Sequence, residues 1–324
     1  MSSDKKSFFV WEYSLWDKAH FRILKGLAIA MVLAAYLLET VFQFSAARFL
    51  IGTASAVFLF CSGYGLSESF QNKQGLPHFW ENKIVKIWLP SLVVVCVTAM
   101  VQEAGNSLGW MGENPLALSG WFLYLLIAEY AIFWLVFRLQ KGTWQKMLWF
   151  FLSAAVLFFM VPHSQIIGQV LAFPVGVAAS TWKWRRPLRN APGLKAMLLC
   201  EVLLISGGGL CLLAGILQTG MAASALYALA YPALAVLLGL FTYYLRKLRI
   251  FGLFAPLGTI SYALYLLHSP ILSLLEKAPS WRASVLIFVL LLLAAAAYSR
   301  LMGVVVRWNK RMRKTKIHIK GRIG

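Results

Sequence analysis

Charge is scarce in this chain, and acid is scarcest. Only 13% of its 324 residues are Asp, Glu, Lys or Arg, with 11 acidic against 31 basic. So little charge beside 60% hydrophobic residues excludes a water-soluble domain of this length and a disordered chain alike. Cysteine is also sparse: Cys61, Cys96, Cys200 and Cys211 all fall in apolar stretches, without metal-ligand or disulfide spacing, and read as small buried hydrophobes. Internal repeats and low-complexity stretches are missing. Met1 to Asp17 is mixed and charged, not an apolar run with a small-residue cleavage site, so the first span is expected to serve as the signal anchor.

What remains is long apolar sequence. Spanning a bilayer core takes roughly 20 apolar residues. Candidate spans lie at 23–44, 49–66, 84–101, 119–137, 144–161, 165–181, 194–217, 222–245, 258–275 and 282–306. The expected fold is therefore all-α: a polytopic membrane protein of about ten transmembrane helices. A short segment, 1–22, precedes the transmembrane domain at 23–306, and a basic tail, 307–324, follows it. Alternating the loops from an inside N-terminus puts 28 of the 31 Lys and Arg inside, leaving Arg48, Lys277 and Arg282 outside. Such short-loop bias predicts that both termini are cytoplasmic. The net charge of +20 thus reads as orientation and contact with anionic headgroups, not as a nucleic-acid surface.

The outside loop 101–119 carries no Lys or Arg and reads as a connection. Gly207–Gly208–Gly209 in the seventh span predicts close helix approach.

Ionisable side chains in lipid are costly, so those inside spans are the first functional candidates. Lys25, Tyr36 and Glu39 share one face of the first span. Eleven residues bring Tyr36 to within about 20° of Lys25, some 16 Å further along the axis. In the ninth span Ser261, Tyr265 and His268 share a face, with His268 near mid-membrane. Lys83 and Lys86, one turn apart, stand where the third span begins. They read either as a positive-inside pair or as a phosphate clamp. Glu129 in the fourth span requires a cationic or hydroxyl partner, with Lys86 one candidate, and Glu68 follows the second span.

Several of these positions fall in segments that together resemble membrane acyltransferase family 3, which contains bacterial O-acetyltransferases of envelope glycans. Lys25–Gly26–Leu27–Ala28 is similar to the family's Arg-Gly-x-Ala opening of helix one. Phe58 to Gly63–Tyr64, with Ser62, resembles its Phe-x-x-x-Ser-Gly-Tyr/Phe segment. Lys83, Lys86 and Pro90 resemble its Arg-x-x-Arg-x-x-Pro entry to helix three, and Trp121–Phe122–Leu123 its Trp-Phe-Leu. Ser261–Tyr262–Ala263–Leu264–Tyr265–Leu266–Leu267–His268 is close to its Ser-Tyr-x-x-Tyr-Leu-x-His.

Three departures stand out. Tyr36 occupies the position of the family's helix-one His, lysines replace its arginines, and the Glu-Pro near the last helix end is absent. Lysine keeps the charge but loses the bidentate fork. A phenol, with a reference pKa of about 10, is ionised to only about one part in a thousand at neutral pH. Tyr36 therefore suits orienting an acceptor or an oxyanion better than taking a proton.

The resemblance implies acyl-CoA, such as acetyl-CoA, as a donor substrate on the cytoplasmic side, with no permanently bound cofactor. It implies an envelope glycan or lipid-linked saccharide as acceptor, and a multi-pass place in the bacterial cytoplasmic membrane. Tyr36 and His268 would hold the catalytic positions. Lys25, Lys83 and Lys86 would meet the donor, and Ser62, Tyr262 and Tyr265 would support the site, joined by Glu129 on its intramembrane position. A second reading stays open: a catalytically degenerate relative acting in export or assembly of envelope polysaccharide.

Overall fold

A computed structural model of the chain describes residues 13–42, 48–73, 75, 78–107, 116–160, 167–189, 193–217, 220–272 and 281–323. The loop centre at 108–115 and the first twelve residues lie outside these. Every regular element among the described residues is helical. In chain order they are α1 (Lys18–Phe42), α2 (Arg48–Lys73), α3 (Phe79–Lys83), α4 (Leu89–Ser107), α5 (Leu116–Leu139), α6 (Thr143–Met160), α7 (Ala172–Thr181), α8 (Arg185–Arg189), α9 (Gly193–Leu217), α10 (Met221–Tyr244), α11 (Ala255–Leu272) and α12 (Trp281–Ile323). Among the described residues, nine segments are long and apolar enough to cross a membrane, and the protein is a multi-pass membrane protein.

The span expected at 165–181 is not one long helix. A 3₁₀ turn, Ile167–Gln169, leads into α7, which has ten residues. At 1.5 Å per residue that reaches about 15 Å, half of a ~30 Å hydrocarbon core. Nearly every α7 residue is buried, including Phe173, Pro174, Gly176 and Val177, so its apolarity serves packing on all sides. The basic tail expected from 307 continues α12 as helix to Ile323.

The chain divides into two compact units, Met1–Leu76 with Trp121–Ser261, and Pro77–Gly120 with Tyr262–Gly324. The first unit is held by backbones in close approach. A Cβ on Gly26 would stand 1.8 Å from the Phe254 carbonyl oxygen, and one on Gly258 would stand 1.7 Å from that of Arg22. Between α2 and α7, a Cβ on Gly63 would meet the Phe173 carbonyl oxygen at 2.3 Å, and one on Gly176 would meet that of Phe60 at 2.3 Å. Lipid tails are as apolar as leucine, so helices in a membrane associate by close packing, and small residues permit it. Of Gly207, Gly208 and Gly209 in α9, Gly207 makes such an approach, to Leu234 and the Ala230 carbonyl; Gly208 and Gly209 face open space.

Rings join α5, α6 and α7. Phe133 stacks on Phe137 with centroids 4.2 Å apart, and both meet Phe150 at 5.9 Å; Phe133 and Phe150 each meet Phe173 at 6.3 Å.

The start of α1 is fixed by hydrogen bonds. Asp17 caps it, its carboxylate accepting from the backbone N–H groups of Ser14 and His20 at 2.8 and 2.7 Å. His20 is fully buried. Its Nδ1 accepts from the Trp16 N–H at 2.8 Å, so its Nε2 carries the proton and donates to Thr242 Oγ1 at 2.9 Å. Tyr13 donates to the Thr242 carbonyl at 2.7 Å, and burial pushes its phenol up to about 12.

The second unit is organised around a π-helical turn, Ile84–Trp88, between α3 and α4. Pro90 lacks an N–H and so releases a carbonyl one turn back. Hydroxyls bond neighbouring carbonyls. Ser91 and Tyr262 donate to the Ile87 carbonyl at 2.6 and 2.9 Å, and Tyr298 from α12 donates to the Pro90 carbonyl.

The glycine contacts give the first prediction. Gly26→Ala forces a methyl into the Phe254 backbone and should cost at least about 2 kcal/mol, whereas Gly65→Ala, in open space, should be near neutral. Thermal unfolding of the detergent-solubilised protein measures both, and equal melting temperatures would refute the close-approach argument.

Candidate functional site

The first unit holds Lys25, Tyr36, Ser62 and Glu129. Lys25 is half-buried on α1 and near enough to Cys61 of α2 for its charge to be felt there. Ser62, the next residue, is hydrogen-bonded to the Tyr130 hydroxyl of α5. Glu129 adjoins Tyr130 and lies on the buried stripe of α5 with Phe122, Leu125, Leu126, Phe133 and Val136. It is 1% exposed, and neither carboxylate oxygen has a hydrogen-bond partner among the described residues. The partner expected for Glu129 from the sequence is therefore missing from these contacts. Tyr36 lies near the far end of α1, partly exposed. Glu68 is engaged locally by the Tyr64 hydroxyl and, at 3.5 Å, by Asn72.

An isolated carboxylate out of water is expensive unless it is neutral or meets a ligand. Among the described residues, the Glu129 carboxyl is thus buried without a hydrogen bond in return.

The second unit holds Lys83, Lys86, Tyr262, Tyr265 and His268. Lys83 is half-buried, with its Nζ 5.6 Å from the centre of the Phe79 ring, and Lys86 is exposed on the π turn. π turns recur at functional sites because they redirect side chains without ending the helix. Tyr262 donates to the Ile87 carbonyl, its oxygen standing 2.8 Å from Ser91 Oγ, which shares that acceptor. It therefore anchors α11 to the turn that bears Lys86, which is a positioning role. His268 is 5% exposed. Its Nδ1 meets the Tyr265 carbonyl, so Nδ1 carries the proton and Nε2 is the nitrogen that accepts one. The Tyr265 ring lies 5.3 Å from the imidazole and fixes its orientation from the other side.

Two partners escaped the sequence reading. Tyr130 was hidden among apolar neighbours, and its spacing of eight from Phe122 was the available signal. Tyr298 acts on a backbone carbonyl 208 residues away, which no local pattern announces. The cysteines also differ from expectation. Cys61 and Cys211 are buried, but Cys96 is exposed and Cys200 partly so, because their helices turn those faces away from the unit interiors.

A family model described as an acyltransferase domain, that of acyltransferase family 3, matches residues 19–303. The chain belongs to acyltransferase family 3. No curated protein and no solved structure matches it. The family match covers α1 through most of α12, and so takes in every candidate residue of both units. It also gives the close-packed glycines a place in the family scaffold: Gly26 and Gly63 belong to the segments that resemble its helix-one and helix-two motifs.

Glu129 supplies the second prediction. Glu129→Leu removes a buried carboxyl without a protein donor and should raise the melting temperature, since a buried polar group without a hydrogen bond carries an uncompensated desolvation cost. A fall of several degrees would instead reveal a structural partner for the carboxylate.

Proposed function

We propose that this acyltransferase family member moves an acetyl group from cytoplasmic acyl-CoA to a hydroxyl of an envelope glycan or lipid-linked sugar. Its setting is the bacterial cytoplasmic membrane, with both termini in the cytoplasm; the charge distribution supports that orientation, the broken helical segment 167–181 completing the tenth passage. The observation that carries the catalytic reading is the tautomer of His268, whose Nδ1–H is held by the Tyr265 carbonyl. A buried imidazole fixed this way presents Nε2 as a base.

In this scheme Nε2 takes the proton of the acceptor hydroxyl as its oxygen attacks the thioester carbonyl. The tetrahedral oxyanion collapses, the C–S bond breaks, and the CoA thiolate leaves and recovers the proton from His268. Lys83 and Lys86 meet donor phosphates as point charges. Both stand in the same unit as His268, and the Tyr262–Ile87 bond ties the two elements together. In the other unit Lys25 adds a cation, Tyr36 offers an O–H to an acceptor or oxyanion, and the Ser62–Tyr130 pair and Glu129 supply polar groups for substrate.

Tyr36 in place of histidine favours one second reading, a scaffold that has lost its base and serves export or assembly of polysaccharide. The two separate in one experiment on the full chain in nanodiscs. For the enzyme, acetyl-CoA binds and CoA is released. His268→Ala should lower turnover by about 10²-fold or more with binding intact, while Lys83→Ala and Lys86→Ala should weaken acetyl-CoA binding. A silent wild type that neither binds nor cleaves acetyl-CoA, yet gains turnover as Tyr36→His, would establish the degenerate scaffold.

A further inference from the structure

A groove of about 500 Å³ opens in the first unit among α7, α8, α9 and α10. Its walls include Trp184, Leu188, Leu199, Leu203, Leu229 and Pro232, and no titratable side chain lines it. The volume falls within the roughly 300–1,000 Å³ typical of small-ligand sites. Leu229, 57% exposed, forms an open lip, whereas Pro232 and Val236 are buried. Helices α9 and α10 close together where Gly207 meets Leu234 and the Ala230 carbonyl, which bounds the groove along α10. At its other end α8 is pinned in place, the Tyr244 hydroxyl donating to the Leu188 carbonyl at 2.6 Å.

Two exposed lysines, Lys183 and Lys195, flank that pinned end. The segment from Lys183 to Lys195 carries Lys183, Arg185, Arg186, Arg189 and Lys195, with no acid. Lys183 is exposed and precedes the lining residue Trp184; its φ of 55° turns the chain sharply between α7 and α8. Lys195 is exposed on α9 one turn before Leu199, and successive steps of four residues keep Lys195, Leu199 and Leu203 on one face. Glu201, the acid of α9, lies about 200° round the helix from both leucines and so points away. Arg185 is half-buried and its charge reaches Tyr64 and His20, on the inner side.

An apolar slot with an acid-free cationic end matches a molecule with an apolar chain and an anionic head. Basic pockets between membrane helices are used this way for anionic lipid headgroups. We propose that this groove is a specific site for an anionic phospholipid, with an acyl chain between α9 and α10 and the phosphate against Lys183 and Lys195.

The test uses the full chain reconstituted with equimolar phosphatidylglycerol and phosphatidylcholine, then released into mild detergent, with retained lipid counted by native mass spectrometry. Wild type should retain phosphatidylglycerol preferentially, by roughly five-fold per engaged cation. Replacing Lys183 and Lys195 together by Gln should bring the two lipids to parity. Ala233→Trp should fill the groove and abolish retention, whereas Ile205→Trp, on the exposed face about 200° from Leu203, should leave it unchanged. Equal retention of both lipids by wild type would overturn the proposal, as would an undiminished preference in the Gln variant. A wild-type dimer that Ala233→Trp dissociates would also overturn it, since the occupant would then be a second copy. The readout is independent of acyl transfer, so the site stands or falls apart from the catalytic reading.

Discussion

Two reciprocal glycine contacts set the geometry of the first unit. α1 meets the start of α11 and the residue before it through Gly26 and Gly258, and α2 meets α7 through Gly63 and Gly176, each glycine lying on a carbonyl of the opposite backbone. In lipid there is no hydrophobic gain from bringing two apolar helices together, so contact distance decides how much dispersion energy is recovered. Removing the side chain at these four points lets long helices touch along their backbones. Lys25 and Ser62 each adjoin one of these glycines, so their positions are inherited from the packing.

The second unit solves a different problem. Its third membrane segment must pass Pro90, and the chain does so with a widened turn, beside which hydroxyls of α11 and α12 bond the Ile87 and Pro90 carbonyls. Unsatisfied backbone groups cost several kcal/mol in hydrocarbon, which explains why Tyr262, Ser91 and Tyr298 converge there. The same bonds hold α11, and with it His268, against the lysine-bearing segment. Structural satisfaction and the placement of chemistry-bearing groups are one arrangement here.

Much of this was legible in the sequence. Apolar runs near twenty residues gave nine segments that the structure also shows as long helices, because length and polarity alone set that signal. Segment 165–181 was expected as one long helix but is a 3₁₀ turn followed by ten helical residues, because apolarity cannot distinguish a side chain facing lipid from one enclosed by protein; Gly168, Pro174 and Gly176 were the clues to the break. Among the candidate residues, Glu129 and His268 stood out because charge and imidazole are conspicuous in a span. The work done by Tyr262 did not, since its partner carbonyl lies 175 residues away and a tyrosine at a helix flank is ordinary. His20 was passed over because it precedes the first apolar run, although its ring is committed at both nitrogens.

The wide turn at Ile84–Trp88 also divides one membrane passage into two independently facing halves. A π turn accommodates an extra residue, and one residue amounts to about 100° of rotation on a regular helix. The lysine entrance therefore keeps its bearing whatever face α4 shows to the bilayer. Lengthening or shortening by a single residue at this turn would swing the remainder of the passage round its axis while the entrance stayed still. Such a swivel lets the bearing of the lysine-carrying turn and the accommodation of α4 to the surrounding lipid change separately.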